Sequence, residues 1–150
     1  MRYFEDASIG STATFGGYDV TKPEIVEFAR TYDPQPFHID EEAAAESMFG
    51  GLVASGWHTM AMCMRMITAR PDPLAELAGV GADNIRWHEP VRPGDHLHLR
   101  AEIVDKRPSD THDDRGYVTT EFEGINGEGT VVVSYETTAI VRRRGYDDEA

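Results

Sequence analysis

The stretch SGWHTMAMCMRMITA, residues 55–69, decides the fold. Trp57, Met60, Met62, Cys63, Met64, Met66 and Ile67 leave no broad polar face on a helix, and such a helix is surrounded by protein on most sides. Ser55-Gly56 opens it, and Pro71 and Pro73 stop it after Ala69. The apolar run reaches back to Gly50, but His58, Arg65 and many small residues favour a buried helix over a membrane span. The following residues supply the cover. Ile85 and Trp87 alternate with Asn84, Arg86 and His88; Leu97, Leu99, Ala101 and Ile103 alternate with His96, His98, Arg100 and Glu102. Val118, Thr120 and Phe122 continue the pattern, and a long strand is expected over Thr130–Val141. A period of two gives antiparallel strands with one covered and one wetter face. Pro93-Gly94-Asp95 and Asn126-Gly127 are turn chemistry, and an early strand near Ser11–Val20 makes a fifth member. The resulting class is α+β, an antiparallel sheet wrapped around a long buried central helix.

Upstream of that helix, Thr21-Lys22-Pro23-Glu24 reads as a helix start, with Thr21 as N-cap and Glu24 at the third position. Ile25, Phe28, Ala29 and Tyr32 share one face. Pro34 ends this helix by pushing Asp33 out of the α region. Asp33 thus opens a proline-stiffened loop that runs to His38. Asp40 is expected to cap a short helix from Ala43 to Met48, which Gly50-Gly51 breaks.

At 150 residues the chain reads as a single domain over 1–150, with only the acidic tail from Tyr146 to Ala150 expected to be disordered. It is 40% apolar and 27% charged, an ordinary globular balance. A formal net charge of −13 repels phosphate backbones and argues against nucleic-acid binding. The start, MRYFEDASIG, has no basic segment followed by an apolar one, so no signal peptide is read. A single cysteine, Cys63, forms no internal disulfide and fits a reducing compartment. A cytoplasmic protein that binds no membrane is expected.

Asp33 and His38 place a carboxylate and an imidazole five residues apart on a stiffened loop, where both address one small volume. Histidine titrates near neutrality, and an adjacent carboxylate fixes its tautomer or helps to activate a water. Addition of water across a conjugated double bond needs this pair: one proton taken from water, one delivered to the neighbouring carbon. Gly56, at the start of the buried helix, offers a backbone N–H backed by the helix dipole to an oxygen that becomes negative.

YDPQPFHID (Tyr32–Asp40), then GGLVASGWHTM (Gly50–Met60) and IRWHEPVRPGDHLHLRAEI (Ile85–Ile103), resemble the MaoC-like (R)-specific enoyl-CoA hydratase family of the hotdog fold, in order across residues 15–141. In that family the motif is Asp, then Asn-Pro, an apolar residue and His; here it stands as Asp33, Gln35-Pro36, Phe37 and His38. The resemblance implies catalytic roles for Asp33 and His38. It implies substrate-binding roles for Gly56, as oxyanion donor, and for Ser55, which precedes it where the family usually has His. It also implies an acyl thioester substrate carried on coenzyme A or an acyl-carrier protein, no further cofactor, and a homodimer or higher homo-oligomer. The expected activity is a hydro-lyase reaction: hydration of a trans-2-enoyl thioester, or the reverse dehydration of an (R)-3-hydroxyacyl thioester.

Two other functions fit the same fold. A thioesterase tends to carry a carboxylate on the buried helix, but Trp57–Ala69 contains neither Asp nor Glu. A non-catalytic acyl-thioester binding subunit has no need of the Asp33–His38 pair. His96-x-His98 lacks a third ligand at useful spacing, so no metal is expected. His58 and His88 read as packing or surface residues, and Cys63 as inert. An anionic carrier calls for local basic residues, and Arg65, Arg70, Arg86, Arg92 and Arg142–Arg144 are available.

Overall fold

The computed structural model describes residues 1–146; residues 147–150, most of the tail expected to be disordered, lie outside it. A 3₁₀ turn (Phe4–Asp6) leads into β1 (Thr12–Asp19). Then come the helices α1 (Lys22–Tyr32), α2 (Pro36–Ile39), α3 (Glu41–Glu46) and α4 (Gly56–Thr68). The strands β2 (Glu76–Trp87), β3 (His96–Pro108), β4 (Arg115–Ile125) and β5 (Val131–Arg142) complete the order. The five strands form one antiparallel sheet in the order β1-β3-β4-β5-β2. Among the described residues no helix is long and apolar enough to cross a membrane.

The alternation read in β3 is realised: Leu97, Leu99, Ala101 and Ile103 are buried while the residues between them are not. Phe122 of β4 and Val132, Val133 and Tyr135 of β5 join them beneath Met62, Cys63 and Met66 of α4. Val20, Ile25 and Ala44 extend this core toward the short helices. A smaller cluster of Phe4, Ala7, Ile103, Val118 and Val141 closes the other end of the sheet. The α+β class, with a sheet wrapped on a central helix, is the architecture expected.

Three local readings change. The segment between Asp33 and His38 is not all loop, because Pro36 starts the helical turn α2 and brings His38 inward. Thr21 holds the N-cap position without a side-chain cap bond; Glu24 is engaged by Tyr18 and His58 instead. Coverage of α4 and β2 is also less complete than their composition predicts. Trp57 and Met64 of α4 are 58% and 52% exposed, and in β2 only Ile85 is even half-buried. One chain covers a single side of α4, and β2 is an edge strand with no neighbouring strand on its outer side among the described residues.

Candidate active site

Asp33 is the C-cap of α1, its N–H bonded to the Ala29 carbonyl at 2.8 Å. Its carboxylate is held at both oxygens. Gln35 Nε2 donates to Oδ1 at 2.7 Å and Ser55 Oγ donates to Oδ2 at 2.7 Å. His38 Nε2 lies 3.3 Å from the same Oδ2. Burial alone would raise the Asp33 carboxyl; the bonds from Ser55 and Gln35 and the proximity of His38 outweigh it, and the group sits below its ordinary value. Asp33 is therefore an oriented carboxylate at neutral pH.

His38 is 5% exposed. Its Nδ1 is 2.6 Å from the Val53 carbonyl oxygen, which only accepts. The Nδ1 proton is thereby assigned, and in the neutral ring Nε2 presents a bare lone pair beside Asp33. A water bridging Nε2 and Oδ2 from the cavity side would have an acceptor for each of its protons.

Gly56 is the first residue of α4, and among the described residues its N–H has no acceptor, as the first turn of a helix dictates. A Cβ at this position would lie 2.5 Å from Cε2 of Trp87, so only glycine fits beneath the indole. Trp87 Nε1 donates to the Gly56 carbonyl at 3.0 Å, and Ser55 Oγ accepts from Trp57 N–H at 3.3 Å. Together they fix the peptide that follows Gly56. Ser55 itself is fully buried, with its hydroxyl engaged by Asp33 and Trp57. It orients the carboxylate and the helix start, and the donor free for a ligand oxygen is Gly56 N–H.

Asp33, Gln35, His38 and Gly56 open onto a cavity of about 620 Å³, bounded also by Trp57, Trp87 and Arg92. Of the arginines noted in the sequence, Arg92 borders it, with Nη2 donating to the Phe49 carbonyl at 2.6 Å. A larger cavity of about 830 Å³ lies toward the other end of α4, among Met64, Leu77 and Phe122, and contains none of the acid–base groups.

Among the described residues no three His, Cys, Asp or Glu side chains cluster as metal ligands. His96 faces Asp19 at 2.7 Å, and His88 faces Ser134 Oγ at 2.7 Å. Burial pushes the Cys63 thiol up to about 11, which leaves it unreactive. The cover of Trp87 over Gly56 was not anticipated. No local pattern relates residues so far apart in the chain.

The MaoC like domain family matches residues 6–126 of this chain. The chain belongs to that family. A crystal structure of a MaoC-like dehydratase from Rhodospirillum rubrum superposes with a TM-score of 0.89 and 40% identity, covering 95% of this chain and 97% of that one. The uncharacterized protein YdeM of Bacillus subtilis is 28% identical over 93% of this chain and 98% of its own length. A 3-hydroxybutyryl-CoA dehydratase from Methylorubrum extorquens is 30% identical over 71% of this chain and 66% of its own. The fold is the hotdog fold of the MaoC-like hydratases.

Proposed function

We propose that this MaoC-like chain is a hydro-lyase that adds water to a trans-2-enoyl thioester, or dehydrates the (R)-3-hydroxyacyl thioester. The observation that carries this reading is Asp33 Oδ2 and His38 Nε2, 3.3 Å apart, opening on the cavity that also receives Gly56 at the start of α4. In hydration, the water held by the pair loses one proton to Nε2 as its oxygen bonds to C3. The C2–C3 π electrons move toward the thioester carbonyl, and Gly56 N–H stabilises the enolate oxygen. The proton on the pair then passes to C2, so that H and OH have been added across the double bond and both side chains return to their starting states. Ser55 and Gln35 keep Asp33 aimed throughout.

The carrier is coenzyme A or an acyl-carrier protein, and Arg92 is the cation nearest to hand for it. The reaction needs no further cofactor. The working form is a homodimer: a second copy laid along β2 would cover Leu77, Val80, Trp57 and Met64, exposed in the single chain. A cytoplasmic setting suits the single buried Cys63.

The test is loss of the conjugated-enoyl absorbance when the protein meets crotonyl-CoA, with Asp33→Asn alongside. Wild type should remove the band, and the variant should be slower by about 10²- to 10⁴-fold. Equal rates would overturn the assignment of Asp33; thiol release without hydration would turn the reading toward a thioesterase.

A further inference from the structure

Beside the acid–base pair lies a second polar cluster that the mechanism does not use. His58, on the first turn of α4, is 3% exposed, and its Nε2 lies 3.0 Å from Glu24 Oε1 on the first turn of α1. Tyr18 of β1 donates its hydroxyl to the same oxygen. The His58 ring stacks on Phe28, centroids 4.6 Å apart and planes 9° apart. Among the described residues His58 Nδ1 is buried without a partner. A phenyl ring would fill this space and stack equally well, so packing does not account for a histidine there. The bond to Glu24 does.

The site has a specific arrangement. Ser55 and His58, one turn apart on α4, hold α1 at two places: Asp33 at its C-cap and Glu24 nine residues earlier, about 13 Å along the axis. Burial of Ile25 and Ala29 seats α1 on the core without directional bonds, and Asp33 fixes only one end of it. Two anchors fix both its rotation and its advance, and with them the distance from the Asp33 carboxylate to Gly56 N–H. We infer that Glu24 and His58 are positioning residues for the Asp33–Ser55–Gly56 geometry, with Tyr18 tying the arrangement to the sheet. The inference deepens the hydratase reading and rests on it for its kinetic consequences, but not for its structural ones.

The distinguishing readout is the titration of the Asp33 carboxyl, which the Ser55 bond helps to hold low. It is followed by carbon NMR, the signal being assigned with Asp33→Asn. In His58→Phe, or in Glu24→Ala if the former does not fold, α1 shifts, Ser55 releases Asp33, and its proton affinity rises about tenfold, one pH unit. His58→Gln, which still reaches Glu24 with an N–H, should restore the wild-type midpoint. In crotonyl-CoA hydration kcat should fall about tenfold in the disrupted variants while KM stays within about twofold. An Asp33 midpoint unmoved in a folded disrupted variant overturns the inference, leaving His58–Glu24 a stabilising contact only; a moved midpoint with unchanged kcat does so as well. If wild type shows no hydration at all, the hydratase reading fails, and the NMR titration still decides the inference.

Discussion

Asp33 carries three neighbours on two oxygens, and each has a separable effect. Ser55→Ala removes a donor from Oδ2 and the acceptor for Trp57 N–H together. Its expected result is an acid limb of the pH–rate profile moved to higher pH, since Asp33 then protonates more readily. Loss of the cap on α4 should also cost about 1 kcal/mol of stability, read by chemical denaturation. Gly56→Ala tests a different point. Its methyl would meet the Trp87 indole, which must move, and a loss of about 1–3 kcal/mol with reduced turnover is expected. Trp87→Phe in the same chain should recover part of the stability. The places of Asp33 at a helix end and Gly56 at a helix start were legible in the sequence because prolines and helix starts are local events. The duty of Ser55 toward Asp33, 22 residues away, was not. It depends on how α1 and α4 cross, which no spacing along the chain records.

At the level of elements, β3 and β4 were legible because each has one covered face and shows it as alternation, and β5 because its residues favour a long strand. The alternation of β2 is visible only over its last residues, near Ile85 and Trp87, although the strand begins at Glu76. Ala78, Gly79, Gly81 and Ala82 carry little strand preference and no alternation that burial would enforce. The central helix was correctly placed, though its uncovered stripe was not foreseen, because composition tells that a helix needs cover and not which chain provides it. The covered side makes its own prediction. Met62→Ala, at a position 2% exposed between helix and sheet, should lower stability by about 2–5 kcal/mol in urea unfolding. Met64→Ala, on the open side of the same helix, should have little effect on the isolated chain.

For the whole molecule, acid is the weak side. Burial holds His58 below its ordinary value, outweighing the attraction of Glu24. The unfolded chain therefore takes up a proton near pH 6.5 that the folded chain refuses, and stability is lost as pH falls below that point. Glu24 and Asp33 are both held below their ordinary values despite burial, so a further loss begins as pH falls below the ordinary carboxylate range of about 4. Urea midpoints should be lower at about pH 5.5 than at about pH 7.5, and the difference should shrink in His58→Gln. The proposed dimer is tested at the same scale. Val80→Asp, on the outer strand, should leave a monomer by sedimentation with most activity gone.

The contact between His38 Nδ1 and the Val53 carbonyl has a genetic consequence. The acceptor belongs to the main chain, so every residue type except a backbone-distorting one supplies it. Substitutions at Val53 would be scored as tolerant or as packing defects, and a scan of side chains would pass over the group that decides which nitrogen of His38 is basic. The proton's address is inherited from the path of the chain, and even an ester at that bond, which keeps the carbonyl, would weaken the acceptor without moving the proton.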